Sequence, residues 1–157
     1  MNRLEKMVRK LQKYPKWVLS WGIGRQVRFV GTAGIKFEEF TTDKVVLYLP
    51  NKGKVRNHIG QIHAAAMVLL VETATGMITG INLPDDKLPL MKKLETKFIK
   101  RSRGGMRVEA WLTEEQKQRM QTEEKGDVLV NYKIADESGE PPIVGDYHWA
   151  WIPKKKK

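Results

Sequence analysis

Glu72 is the only residue between Ile62 and Leu83 that is charged at pH 7 with an ordinary pKa. The stretch around it, NHIGQIHAAAMVLLVETATG from Asn57 to Gly76, is otherwise mostly apolar or small. An isolated carboxylate in such a run is either a hydrogen-bonded structural acid or a base that burial has tuned. Full burial raises a carboxyl pKa by as much as about 3–5 units. A general base poised near neutrality is worth roughly 10²–10⁴ in rate. Three groups upstream could serve the same chemistry. His63 and Asn57 offer polar side chains, and Ala64 and Ala65 offer backbone N–H groups. At a helix start such N–H groups are unpaired donors beside a positive dipole end. One donor aimed at a developing oxyanion is worth on the order of 10²–10³ in rate. Each residue has a plainer reading too: His63 as a helix-start histidine bonding backbone, Asn57 as a cap or turn. Ile59 and Gly60 would shape the entry, and His58 and His148 read as surface or core residues.

The element that must position these groups is a helix over Ile62–Leu83, roughly 25–30 Å long at about 1.5 Å per residue. Its length also suits a membrane span. Its content does not: a charge sits near the centre, Thr73, Thr75, Thr79 and Asn82 crowd the second half, and Gly76 and Gly80 interrupt it. The reading is a helix that is apolar nearly all round because it is covered nearly all round.

Strands supply the cover. Ile35–Thr41 and Lys44–Leu49 are rich in β-branched and aromatic residues, with a turn at Thr42-Asp43. Leu88–Lys100 carries Leu94, Thr96 and Phe98 in alternation, and Met106–Leu112 returns after Arg103-Gly104-Gly105. Asp127–Ala135 alternates Val128, Val130, Tyr132 and Ile134 as one strand. Asp146–Ile152 places Tyr147, Trp149 and Trp151 on one face. Thr113–Gly126 reads as a short exposed helix or a long loop, and Thr113 to Gln116 has the form of a capping box. At the N-terminus, Leu4, Met7, Val8 and Leu11 fall at helical spacing among basic residues, up to Pro15. That predicts an amphipathic helix docked on the protein surface, with membrane contact as its second use. The order is helix, two strands, long helix, four strands, with the strands meeting in hairpins as an antiparallel sheet.

The 157 residues suit one domain, and there is no cysteine, which removes disulfides, thiolate chemistry and Cys-zinc sites. Three histidines argue against a histidine-rich metal site, so no metal is expected. The net charge of +11 invites a polyanionic partner: nucleic acid, an anionic membrane or a phosphorylated cofactor. No signal peptide is visible, although a transit peptide is conceivable, and a cytoplasmic protein is expected.

This element order, with Asn57, His63 and Glu72 on and before the central helix, resembles the hotdog-fold thioesterase superfamily. It is similar to the phenylacetyl-CoA thioesterase type and to a poorly characterised bacterial group whose motif runs Asn, His-Ala, Glu. The resemblance covers Gly34–Ile152. It implies an α+β fold, a curved antiparallel sheet around a long central helix, preceded by an N-terminal helix. It divides the chain into an N-terminal helical extension (1–33), a hotdog core (34–152) and a basic tail (153–157) within one domain. It implies an acyl-CoA thioesterase with Glu72 as general base or nucleophile and the Ala64 and Ala65 N–H groups as oxyanion hole. The family's Gly-Gly after the histidine is Ala64-Ala65 here, which keeps small residues but loosens the closest backbone approach.

One chain cannot easily build such a site alone. Nine residues at 100° each put His63 and Glu72 on opposite sides of a straight helix, about 13 Å apart along it. Two antiparallel helices across a two-fold axis would bring the start of one to Glu72 of the other, so a homodimer is expected, with further pairing into a tetramer as an alternative. The substrate is an acyl-CoA or acyl-carrier thioester. No separate cofactor is expected, coenzyme A being part of the substrate. Lys100, Arg101 and Arg103 beside Gly104, with Gly60, are its candidate contacts, a solvated basic turn being the plainer reading. Three other functions compete: a non-catalytic acyl-CoA or acyl-carrier binding protein, a hydroxyacyl-thioester dehydratase, and a nucleic-acid binder, for which no recognised motif is present.

Overall fold

The computed structural model describes residues 1–155. Helix α4 (Ala64–Asn82) takes the apolar run, and Pro84 lies just beyond its end. Among the described residues, seven strands wrap it. β1 (Lys36–Phe40), β2 (Lys44–Leu49), β4 (Met106–Trp111) and β6 (Asn131–Asp136) form one antiparallel sheet in the order β1-β2-β4-β6. β3 (Lys87–Phe98), β7 (Ile143–Pro153) and β5 (Gly126–Leu129) form a second, in the order β3-β7-β5. Alternation decides which face meets the helix. Met106, Val108 and Ala110 of β4 point inward, while Arg107 is exposed. Tyr147, Trp149 and Trp151 of β7 point inward together, as their spacing predicts. The Trp149 indole N–H donates to the Thr75 hydroxyl at 3.0 Å, which ties sheet to helix. The architecture is the α+β hotdog arrangement expected, with antiparallel sheets around a long central helix.

Four details differ from the sequence reading. The expected single strand over Asp127–Ala135 is two strands that break at Val130. The Val130 N–H donates to the Tyr147 carbonyl at 3.2 Å, and there the chain leaves β7 for β4. The break is how one alternating run serves two sheets around one helix. The expected hairpin between Leu88–Lys100 and Met106–Leu112 does not form. β3 pairs along its length with β7, and β4 lies between β2 and β6. The loop between them is pinned elsewhere, its Ile99 N–H donating to Pro142 O at 3.0 Å.

The N-terminus holds three helices, not one: α1 (Arg3–Leu11), α2 (Lys16–Gln26) and α3 (Arg28–Ala33). α1 ends at Leu11, earlier than the expected stop at Pro15, and Pro15 stands at the N-cap position of α2. Glycine hid the others, because Gly22, Gly24 and Gly31 lower helix propensity. Gly24 and Gly31 meet backbone to backbone, and a Cβ on Gly31 would sit 2.6 Å from the Gly24 carbonyl oxygen. α1 docks its apolar side inward: Val8 is buried, with Leu4, Met7 and Leu11 packed on the core. The fourth difference concerns α4 itself. Its cover is incomplete, and Ala65, Val68, Leu69 and Glu72 form a stripe that stays at least partly open.

Thr113–Gly126 contains a real helix, α5 (Glu114–Thr122), with the Thr113/Gln116 capping box in place. Pro153 belongs to β7, Lys154 and Lys155 follow it, and the rest of the basic tail, Lys156 and Lys157, lies outside the described residues.

Candidate active site

The approach to α4 is a short loop held by Asn57. Its side-chain oxygen accepts from the N–H groups of Ile59 and Gln61, both at 3.1 Å. The Asn57 N–H donates to Gln61 O at 2.8 Å, and Gly60 returns an N–H to Asn57 O at 3.1 Å. Gly60 lies at φ +75°, a left-handed conformation that glycine adopts without a steric cost. The Asn57 oxygen is therefore spent on folding the loop. Gln61 and Ile62 then lead to His63, whose N–H donates to Val55 O at 2.8 Å.

His63 is the N-cap of α4, and its side chain does the capping. The imidazole Nδ1 accepts from the Ala65 N–H at 3.0 Å. An accepting Nδ1 assigns the ring proton to Nε2. The His63 carbonyl takes the next two donors, Ala66 at 2.9 Å and Met67 at 3.1 Å. Of the two donors expected to form an oxyanion hole, the Ala65 N–H is thus occupied within its own chain. The Ala64 N–H meets no backbone or side-chain acceptor among the described residues, and both alanines are exposed.

A hollow of about 190 Å³ opens at this helix start, lined by Phe29, Ala33, Lys54, Arg56, His63 and Leu69 among others. Phe29, Lys54 and Arg56 were not among the residues singled out from sequence. The run Lys52–Arg56 immediately before Asn57 was the available signal, three basic residues in five. Phe29 had none, because its helix was not recognised.

Glu72 sits two turns further along the open stripe, half-buried, and does not line that hollow. Burial pushes its carboxyl above the ordinary range, and the neighbouring Thr73 hydroxyl pulls the other way. The Thr73 hydroxyl oxygen is itself buried with no partner at hydrogen-bonding geometry among the described residues. Behind Glu72 lies Tyr147, whose hydroxyl is 2.8 Å from the Thr96 hydroxyl. Burial pushes the Tyr147 phenol up, the Thr96 bond opposes this, and the Glu72 charge adds to the rise. So the structure brings His63, Ala64 and Ala65 together at one place and puts Glu72 at another on the same side of α4. It is not opposite, as a straight helix through His63 would have it, because His63 is the extended N-cap and Ala65, seven residues from Glu72, shares its side.

Beside Glu72 the inner face of β3 is also bare. Leu94 pairs across with Tyr147 and Phe98 with Ile143, both buried, yet Leu94 is 39% exposed and Phe98 53%. β3 stands at the end of its sheet, so its other edge carries no strand partner among the described residues.

The basic turn after β3 is partly committed. Lys100 lies 3.2 Å from the Asp136 carboxylate and also bonds Ser138. Burial works to raise the Asp136 carboxyl. Bonds from the Ser138 side chain, the Arg103 and Ser138 N–H groups and Lys100 outweigh it and hold it below the usual range. The Arg101 and Arg103 side chains are exposed. Gly104 turns at φ +64° beneath the Glu137 carboxylate. Among the described residues, no three His, Asp or Glu side chains cluster as metal ligands would.

Comparison with solved structures places the fold. A protein of unknown function from Pseudomonas aeruginosa, PA5026, a probable thioesterase, superposes with a TM-score of 0.78 at 24% identity, over 90% of this chain and 97% of that one. The Haemophilus influenzae thioesterase HI1161 gives 0.69 at 15%, over 89% and 92%. A thioesterase family protein from Silicibacter pomeroyi gives 0.69 at 11%, over 86% and 96%. Identities this low speak for the fold. No curated protein matches the chain. A family model does match, over residues 15–152, so the chain belongs to the family described as Domain of unknown function (DUF4442).

Proposed function

We propose that this protein hydrolyses the thioester of an acyl-CoA or acyl carrier, at a site shared between two copies of the chain. One observation carries the reading. α4 presents, on one uncovered side, a free N–H at its start and a half-buried carboxyl raised by burial further along. Each is half of a thioester hydrolase and neither completes it alone. The separation along one helix is about 12 Å, too far for both to reach one carbonyl. A second copy running antiparallel would set the Ala64 N–H of one protomer against Glu72 of the partner subunit. The free edge of β3 and the bare Leu94 and Phe98 offer that copy an apolar seat.

In the reaction, Glu72 takes a proton from water as the water oxygen bonds the thioester carbon. In the nucleophilic alternative its carboxylate bonds that carbon, the thiolate leaves, and water then cleaves the mixed anhydride, freeing Glu72 and supplying the thiol's proton. The charge that moves onto the carbonyl oxygen is met by the Ala64 N–H and the positive end of α4. The C–S bond then breaks, the thiolate leaves as the coenzyme or carrier thiol, and the proton returns to it. Lys54 and Arg56 at the hollow and Arg101 and Arg103 on the turn are the cations available for phosphates. Asn57 acts on this chemistry by shaping the loop before His63.

A second reading is binding without turnover, and the occupied Ala65 N–H favours it, since it leaves one donor where two would serve better. Release of free thiol from a panel of acyl-CoAs decides between them. The hydrolase reading expects turnover that Glu72→Gln abolishes. Saturable acyl-CoA binding with no thiol released, in parent and variant alike, selects the second reading.

A further inference from the structure

We propose that helices α2 and α3 form a docking surface for an anionic phospholipid bilayer. The observation is a helix apolar on two sides. Leu19 and Ile23 of α2 are buried in the core. Trp17 and Trp21, one turn apart on another side, are 68% and 58% exposed. Tyr14 before α2 is exposed, and so are Val27 and Phe29 after it, Phe29 at 63%. Burying a tryptophan releases more apolar area than almost any other side chain, so two bare ones at helical spacing call for an occupant.

The charge around these rings identifies the occupant. Residues 1–36 hold nine Lys or Arg and a single acid, Glu5. The Arg25 guanidinium lies 5.1 Å from the centre of the Trp21 ring. A groove of about 600 Å³ runs between α2 and β1, walled by Trp17, Trp21 and Phe37. It is lined by the cations Lys16, Arg25 and Lys36 and by one acid, Glu38, whose carboxylate is paired with Arg107. Indole rings with cations beside them suit the headgroup level of a bilayer, where the ring stays half-wet and the cation meets phosphate. Nucleic acid would use the same cations, but Val27 and Phe29 extend the apolar surface beyond a pair of stacking rings.

This moves the expected membrane contact off α1. The apolar side of α1 is turned into the core, and only its cations remain to add attraction. The patch lies beside β1 and the face offered to a second copy lies along β3. These strands stand at outer positions of different sheets, and Trp17 and Trp21 do not line the hollow at the start of α4 that the second copy must reach. Phe29 also lines the hollow at the start of α4, which makes the surface continuous with the candidate site. The proposal does not depend on catalysis, and its test involves no turnover.

The full chain is floated through a density gradient with vesicles of phosphatidylcholine, or of phosphatidylcholine with about one third phosphatidylglycerol, near physiological salt. The parent is expected to rise with the anionic vesicles and stay down with the neutral ones. The double variant Trp17→Ser/Trp21→Ser is expected to lose roughly tenfold or more in bound fraction, and Lys16→Glu/Arg25→Glu a similar amount. These side chains are exposed or at the surface, and unchanged thermal unfolding verifies that the fold persists. Failure of the parent to float, equal flotation with both vesicles, or an unchanged Trp17→Ser/Trp21→Ser variant would overturn the proposal. So would displacement of the parent from anionic vesicles by equimolar single-stranded oligonucleotide, which would assign the patch to nucleic acid.

Discussion

The Nδ1 atom of His63 accepts a hydrogen bond from the N–H of Ala65 at 3.0 Å, so the histidine that opens α4 also caps it. That bond leaves the Ala64 N–H as the donor without an acceptor at the helix start among the described residues. Ala64 stands at the first helical position, where proline is accommodated because its missing N–H has no intrahelical duty. His63 already has extended backbone angles, φ −62° and ψ 141°, which a following proline prefers. Ala64→Pro therefore removes one donor and little else. Its thermal unfolding should stay close to the parent's, while kcat for thiol release falls roughly 10²–10³-fold. An unchanged kcat would take the Ala64 N–H out of the mechanism.

Glu72→Gln should lower thiol release by roughly 10²-fold or more and should raise stability at neutral pH. The sign follows from burial. Folding lifts the Glu72 carboxyl above its ordinary value, so the folded state holds that proton more tightly. The stability this gives is complete below the unfolded carboxylate range and is lost as pH rises through the raised value. Urea unfolding of parent and variant from about pH 4 to about pH 8 should show the variant's advantage growing with pH. The parent's thiol release should rise over the same interval as Glu72 loses its proton. An advantage that is flat with pH would show a carboxyl in ordinary solvent.

Asn57 separates loop shaping from chemistry. Its oxygen accepts two N–H groups, and aspartate keeps that oxygen while alanine removes it. Asn57→Ala should cost about 1 kcal/mol in stability and weaken turnover by distorting the approach to His63. Asn57→Asp should retain both nearly intact. A large loss of kcat in Asn57→Asp, with stability unchanged, would assign the side-chain amide a direct role.

Leu94→Lys/Phe98→Lys tests the seat for a second copy. Both side chains are exposed within one chain, Leu94 in smaller part than Phe98, so the substitutions should leave the fold of the protomer intact. Sedimentation equilibrium should show a dimer in the parent and a monomer in the variant, with thiol release lost alongside. A variant that stays dimeric would move the interface away from this face.

Much of the fold could be read from residue patterns because its parts have strong local signals. The apolar run of α4 is broken by a single acid, β2 is rich in β-branched and aromatic residues, and β4 alternates cleanly. What failed was non-local. The break at Val130 comes from the demand that one strand serve two sheets, which no local pattern announces. β3 and β4 look like a hairpin because Arg103-Gly104-Gly105 signals a turn, but Asp136 and Pro142 hold that loop elsewhere. Helices α2 and α3 escaped because glycine marks turns far more often than it marks two helices in backbone contact. For the site, residue types singled out Glu72, and the resemblance to hotdog thioesterases added Asn57, His63, Ala64 and Ala65. They did not reveal that His63 would occupy the Ala65 N–H, or that Phe29, Lys54 and Arg56 would border the helix start.

The shared site is tested most directly by mixing two inactive proteins. Ala64→Pro keeps Glu72 and lacks the donor; Glu72→Gln keeps the donor and lacks the carboxylate. Each should be nearly inactive alone. Unfolded together and refolded at equal amounts, half of the resulting dimers hold one of each, and each of these has one intact site of two. Thiol release should then return to about a quarter of the parent rate, because half of the dimers carry half of the sites. No recovery above the level of the separate variants, in a mixture shown to contain the mixed dimer, would contradict a site in which one chain's helix start serves the partner's carboxylate.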